Sequence, residues 1–437
     1  MSFGPRLAEL RESIEAEYRQ RTPASGAMHA RAQRHMPDGD TRTGIAFAPY
    51  PTYIESAHAC FLYDVDGNAL LDFNYNATSL IHGHAHPAVV TAIQRQAARG
   101  TAWSAPNPLQ IELARDLCER VPSLEQVRFC NSGTEANMQA AKAARAFTGR
   151  DRLLKMDGAY HGTYDGLELN ATEARGIPRN VRDNVVLAPF DDAAAAERLI
   201  VANRHELAAV IVTPVFTRGG LIPPSPGYLA ALRDITRAHG VLLIFDEVIS
   251  FRLAAGGAQD LYGVTPDLTA LGKVIGGGLP VGAFGGRAEI MRVYAEGEPP
   301  GLTHAGTFNA NPLTMAAGLA ALELLTVPAF QRLADLGGRL SHRLAAVIGD
   351  DSAFQVNRVE SLVSLDPRPT TIEPAAAEVL RLIRLALLNH RINMPGLCAV
   401  ATVMTEVDVD RLVDAFGEVL GTFGDLLVPT TSGGVSA

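Results

Sequence analysis

Two apolar runs in this 437-residue chain each end in residues able to do chemistry. The run 241–245, VLLIF, delivers Asp246 and Glu247 at its carboxyl end, where open α/β sheets gather their ligand-binding residues. The run 268–271 ends in Gly272-Lys273, and Gly276-Gly277-Gly278 follows. A lysine in that setting is poorly hydrated, so its ammonium form is disfavoured and a neutral, nucleophilic amine becomes accessible near neutral pH. The glycines beyond it let a bulky group come close. Taken singly, Asp246 reads as a salt-bridged strand-end acid and Lys273 as a solvated surface lysine.

Taken together, a buried acid and an amine nucleophile are the two protein groups a pyridoxal phosphate enzyme needs. The lysine holds the aldehyde as a Schiff base, and the carboxylate keeps the ring nitrogen protonated so that the ring accepts electrons. The stretch 127–137, VRFCNSGTEAN, adds a place for the phosphate. There a short strand meets Ser132-Gly133-Thr134 and then an Ala-rich helix, whose N-terminus presents free amides and a partial positive charge. On local grounds Ser132 or Thr134 is an N-cap and Glu135 a capping-box acid. Gly158-Ala159-Tyr160-His161-Gly162 follows a strand at 152–156, and Gly306-Thr307-Phe308-Asn309-Ala310-Asn311-Pro312 precedes another Ala-rich helix.

Over roughly residues 30–420 these segments resemble class III (fold type I) pyridoxal phosphate aminotransferases, in the glutamate-1-semialdehyde aminomutase-like branch that includes β-amino-acid and D-phenylglycine transaminases. The resemblance implies that Lys273 is the Schiff-base lysine and that Asp246 pairs with the pyridinium nitrogen. It implies Val248 on one ring face, Tyr160 stacked on the other, and Ser132, Gly133 and Thr134 around the phosphate. It also implies that Thr307 reaches the phosphate of a neighbouring subunit, hence a homodimer with shared sites. His161 would support the site from behind. Locally, Tyr160 reads as core or rim and Thr307 as a turn hydroxyl.

The elements that must position these residues follow an alternating pattern. Strand-like runs at 185–188, 208–214 and 241–245 alternate with helices at 192–203 and 227–239, which predicts a mostly parallel sheet. Pro87 opens a helix through Gln96, and a longer helix covers about 312–325. Upstream, Leu7, Leu10 and Ile14 space residues 5–20 as an amphipathic helix laid on a partner or on the body of the chain. Strands at 52–55, 60–63 and 70–73 surround a turn at Asp64-Val65-Asp66-Gly67-Asn68, which lacks the further ligands of a calcium loop. After Val327-Pro328, helices near 329–348 and 373–390 flank short strands, Val407-Asp408-Val409-Asp410 opens a last helix, and the tail from Pro429 is loose. The expected fold is α/β: a large cofactor-binding domain over 75–326, and a smaller α+β domain drawn from both chain ends, 1–74 and 327–437.

Composition narrows the partners. A net charge of -9 and the lack of any basic run argue against nucleic acid. Cys60, Cys118, Cys130 and Cys398 are scattered, which suggests neither disulfides nor zinc and suits the reducing cytoplasm. His82, His84 and His86 in GHAHP have no acidic or thiol ligand nearby and read as a turn into a helix instead of a metal site. No run is apolar enough to span a bilayer, and the N-terminus lacks a leader's apolar core.

The expected reaction is a ping-pong transamination between a small-molecule amino donor and a keto acceptor, with Lys273 moving the proton as general base and acid. Arg42 falls where β-amino-acid transaminases of this branch have a carboxylate-binding arginine, and a planar two-pronged donor suits a carboxylate. Its local reading is an exposed loop arginine. Where the aminomutase has an active-site glutamate, this chain has Met394-Pro395-Gly396-Leu397, an apolar pocket to which Trp103 adds an aromatic wall. Val212-Thr213-Pro214 departs from the Glu-Pro of relatives, and Arg218 beyond it reads as solvated or as a substrate contact. An apolar or aromatic β-amino acid, or a related amine, fits these features. The same cofactor residues would serve an aminomutase or a decarboxylase; a non-catalytic binding protein would not need the intact set.

Overall fold

The computed structural model describes residues 3–43, 47–168, 175–297, 300–350, 352–368 and 374–424. The tail from Pro429 lies outside them. The chain divides into two compact units, one made of Met1–Ala77, His82–His86 and Leu333–Ala437, the other of Thr78–Ile81 and Pro87–Arg332.

In the first unit, strands β1 (Ile54–His58), β2 (Phe61–Asp64) and β3 (Ala69–Asp72) form an antiparallel meander. Its β2–β3 turn uses its acids on backbone. Asp64 Oδ1 accepts from the amides of Asp66 at 3.0 Å and Asn68 at 2.7 Å, and Asp66 accepts from the amides of Ala24 and Ser25. The helix Phe3–Arg21 buries Leu7, Ile14 and Tyr18 and packs on the helix Pro374–Asn389, where Asn389 Nδ2 donates to Ile14 O at 3.1 Å. Of the two settings left open for this helix, it takes the body of its own chain. In the histidine run, His84 Nε2 pairs with Asp72 Oδ2 at 2.7 Å and His82 Nδ1 with Thr402 Oγ1 at 2.9 Å. Among the described residues, no three His, Cys, Asp or Glu side chains are grouped to hold a metal.

The second unit is built on seven strands: β4 (Gln126–Cys130), β5 (Arg152–Met156), β6 (Val185–Ala188), β7 (Leu207–Val212), β8 (Leu242–Asp246), β9 (Leu268–Gly272) and β10 (Gly282–Gly286). They lie in the order β4-β10-β9-β8-β7-β5-β6. From β9 to β6 every pairing is parallel, while β10 runs antiparallel to both its neighbours. Every residue of β7 and β8 is buried, as expected of central strands covered on both faces. Helices Gly133–Thr148, Ala193–Asn203 and Tyr228–Ala238 alternate with the strands.

β10, GAFGG, does not read as a strand in the sequence. Its glycines are set by close approach: a side chain at Gly282, Gly285 or Gly286 would collide with the carbonyl oxygen of Ser132, Gln126 or Asp267. Pairing on both edges overrides a poor intrinsic preference. The Gly276-Gly277-Gly278 run is likewise explained by packing within the chain. A side chain at Gly277 would strike the Ala317 carbonyl, and one at Gly318 the Ile275 carbonyl, so the bulky neighbour is the helix Pro312–Glu323.

The C-terminal segments complete the first unit. Strands β11 (Phe354–Val359), β12 (Leu362–Pro367) and β14 (Leu397–Ala399) form a separate antiparallel sheet, while β13 (Ile392–Asn393) adds to β3 in parallel. The last helix, Glu406–Phe423, opens with a reciprocal capping box between Thr405 and Asp408. Among the described residues no single helix is long and apolar enough to cross a membrane.

Candidate active site

Strand register assembles the site. β8 and β9 place Asp246 opposite Ala270, β9 and β10 place Gly272 opposite Gly282, and β10 and β4 place Gly282 opposite Cys130. The turns that leave β4, β8 and β9 therefore sit side by side at the carboxyl ends of three strands. They touch: a side chain at Gly133 would come within 2.8 Å of Val248 Cγ1, and one at Gly272 within 3.3 Å of the same atom.

Asp246 is buried and held on both oxygens. Oδ2 accepts from His161 Nδ1 at 2.8 Å and from Asn137 Nδ2 at 2.8 Å, and Oδ1 accepts from the Val248 amide at 3.1 Å. Asn137 stands one helical turn beyond Gly133 and so shares its face, which brings the first turn of this helix and the acid together. Its Nδ2 also donates to His161 O at 3.1 Å. Asn137 Oδ1 and His161 Nε2 are buried and find no partner among the described residues. Buried polar atoms normally have partners, so two of them beside one carboxylate mark a place for another polar group.

Glu247, next along the chain, points elsewhere. It is fully buried and accepts from Ser250 Oγ, the Ala258 amide, the Gln259 amide and Gln259 Nε2. Burial raises its pKa, and its role is to close the loop 250–259.

Lys273 opens a short 3-10 turn at a φ of 51°, a strained value for a side-chain-bearing residue. Burial pushes its amine down to about 8; the Asp246 carboxylate opposes that shift and the Arg252 guanidinium adds to it. At the turn leaving β4, Ser132 caps the helix Gly133–Thr148, its side chain accepting from the Glu135 amide at 3.1 Å. Glu135 accepts from the Asn131 amide at 2.9 Å, one residue earlier than a capping box requires. Gly133 and Thr134 thus stand at the open first turn, whose amides lack intrahelical acceptors.

The loop carrying Tyr160 meets this turn, because a side chain at Gly162 would collide with Thr134. Tyr160 itself is 55% exposed, so it is not a core residue. Val248 is part-buried, between Gly133 and Gly272. Thr307 is exposed in a turn whose Asn309 Oδ1 accepts from Asn131 Nδ2 at 2.8 Å, tying that turn to the one that leaves β4.

Arg42 belongs to the other unit. It is exposed, and its Nη1 donates to Asn76 Oδ1 at 3.1 Å. Arg218 and Trp103 are exposed too, and Thr213 donates to the Val215 carbonyl. The 394–397 segment is less apolar than its own sequence suggests. Arg384, from the helix Pro374–Asn389, brings its Nη2 to within 2.7 Å of where a side chain at Gly396 would begin. The sequence of the segment itself could not show this, since the guanidinium comes from another element.

The family profile described as Aminotransferase class-III matches residues 46–367. The chain belongs to that family. It is 44% identical over 361 residues to glutamate-1-semialdehyde 2,1-aminomutase 2 of Brevibacillus brevis, covering 78% of this chain and 82% of that protein. A solved transaminase with pyridoxal phosphate bound is 38% identical with a TM-score of 0.88, over 92% of this chain and 97% of that one. The β-phenylalanine aminotransferase of Variovorax paradoxus is 34% identical with a TM-score of 0.90, over 97% of this chain and 99% of that one.

This aminotransferase-family enzyme depends on pyridoxal phosphate, and its residues fit that group. Val248 packs so closely on Gly133 that no side chain fits on the glycine, and unsatisfied polar atoms flank Asp246. When bound, the cofactor supplies the electron sink for bond breaking at the substrate's amine-bearing carbon.

Proposed function

We propose that this enzyme transfers the amino group of an apolar or aromatic β-amino acid to a keto acid. The observation that carries the substrate class is Arg42, whose guanidinium has an amide oxygen and no carboxylate for a partner among the described residues. An exposed fork of N–H donors fixed at one corner suits a substrate carboxylate. In this reading Lys273 holds the cofactor and then, as a neutral amine, takes and returns the substrate proton. Asp246 holds a proton at the ring nitrogen, Val248 and Tyr160 cover the two ring faces, and Ser132, Gly133 and Thr134 bind the phosphate. Thr307 serves the site of a second subunit, which makes the enzyme a homodimer. The four free thiols suit a reducing compartment such as the cytoplasm.

A second reading is a glutamate-1-semialdehyde aminomutase, favoured by the name of the Brevibacillus brevis relative. Against it, no glutamate stands at 394–397.

The two part in a half-reaction. Single amines, α-amino acids and β-amino acids are mixed with the holoenzyme without acceptor, and the visible band of the lysine-bound cofactor is followed. β-Phenylalanine should discharge that band, Lys273→Ala should abolish the effect, and Arg42→Ala should raise KM by ~10–100-fold with little change in kcat, the loss of one charge-assisted contact. Discharge by glutamate-1-semialdehyde alone would favour the aminomutase, and an unchanged KM in Arg42→Ala would sink the carboxylate assignment.

A further inference from the structure

Lysine is almost absent from this chain. Among 38 Lys and Arg residues the only lysines are Lys142, Lys155 and Lys273. Lys142 is exposed, with Nζ donating to Thr303 O at 3.2 Å, and Lys273 belongs to the site. Lys155 is in the interior of β5 and is fully buried. A charged residue there needs a reason.

Its Nζ donates to Ala159 O at 2.8 Å and to Leu167 O at 2.8 Å. Those carbonyls bracket the loop that holds Tyr160, His161 and Gly162. The loop folds back over the end of its own strand, with the Ala159 amide on Met156 O at 3.1 Å, after the Asp157 amide makes a last bond to β6 at Ala188 O, 2.8 Å. Within the bracket, His161 reaches Asp246, and Gly162 lies against Thr134 at a φ of 94°; Gly158, just before the bracket, takes a φ of 73°. Without that donor, both carbonyls would be left unpaired among the described residues. Arginine fills every other cationic position, yet two convergent carbonyls in a packed space call for a compact, tetrahedral head and not a planar fork.

We propose that Lys155 is a positioning residue for the cofactor site: its ammonium ties together the two ends of the loop 159–167 and so sets where Tyr160 and His161 stand. Burial lowers its pKa to about 8, which leaves the ammonium the main form at neutral pH. The Tyr160 half of the inference rests on the stacking reading above, whereas the His161 half rests on the contact with Asp246.

The test compares Lys155→Met, which keeps volume and removes the clamp, with Lys155→Arg and with Leu154→Ala, a core truncation in the same strand. Cofactor affinity of the apoprotein and the visible circular dichroism of the bound cofactor are measured. Lys155→Met should weaken affinity about tenfold, equivalent to ~1.4 kcal/mol, and reduce the dichroic signal. Lys155→Arg should not restore either, and Leu154→Ala should lower thermal stability while leaving both unchanged. Wild-type affinity and dichroism in Lys155→Met would overturn the proposal. If that variant does not fold, acetylation of the wild-type holoenzyme decides: Lys155 should resist while Lys142 reacts, and equal rates would overturn it. Tyr160→Ala, run alongside, separates the readings, because wild-type cofactor affinity there removes the stacking assignment and leaves the Lys155 outcome standing on His161.

Discussion

At the scale of single residues, the site works by giving one acid and one amine opposite surroundings. Asp246 is surrounded by donors, and Lys273 is deprived of water. The second fact has a pH consequence. An unfolded lysine is an ammonium up to about pH 10.4, whereas this one loses its proton near 8, and only the neutral amine attacks an aldehyde. Capture of pyridoxal phosphate by the apoprotein, followed by stopped-flow absorbance, should therefore quicken as pH rises through about 8 and then level off. A rate still climbing toward pH 10 would show that burial does not depress this amine. Both residues were legible because each ends an apolar run, which leaves a charge where none is expected. Asn137 was half-legible: it sits in the quoted motif, four residues after Gly133, the spacing that puts it on the same helix face. Arg384 and Lys155 were not, since their meaning lies in carbonyls and turns supplied by other parts of the chain.

At the scale of elements, periodicity located the strands and helices because each buries a regular face, and the missed strand is the one with too few side chains to show a period. β10 owes its existence to neighbours on both edges, which a local window cannot see. A second irregular element is more unusual. Tyr75, Asn76, Ala77 and Thr78 take φ values of 48°, 51°, 53° and 73°, a left-handed turn made without glycine. Each such residue costs ~1–2 kcal/mol through its Cβ, so the turn is held by contacts such as the Ala77 amide on Asn74 Oδ1. Ala77 is exposed, which makes it a clean probe. Ala77→Gly should stabilise the protein by up to ~1 kcal/mol in urea unfolding, because the relieved strain exceeds the added freedom of the unfolded chain, and Ala77→Val should destabilise it. A destabilised glycine variant would mean that the left-handed turn is not strained in solution.

At the scale of the whole molecule, the residues left over by the single chain are those expected to meet a second copy. Phe308 is 58% exposed and Trp103 43% exposed, while Thr307 projects from the same turn as Phe308. Large exposed aromatics are what a subunit interface would cover, and the proposed reach of Thr307 into a second subunit's site would require such an interface. Such sharing has a genetic signature that a merely associated pair lacks. In a mixed dimer of Lys273→Ala and Thr307→Ala chains, one site lacks both groups and the other has both. Each variant alone should be impaired, Lys273→Ala completely and Thr307→Ala through weaker cofactor binding. Dissociated and re-formed together, they should regain turnover at cofactor concentrations too low for the Thr307→Ala homodimer, with a mass twice the 46.5 kDa of one chain by light scattering. A dimer without that recovery would confine Thr307 to its own subunit, and a mass of one chain would remove the shared site, leaving Phe308 and Trp103 exposed for some other reason.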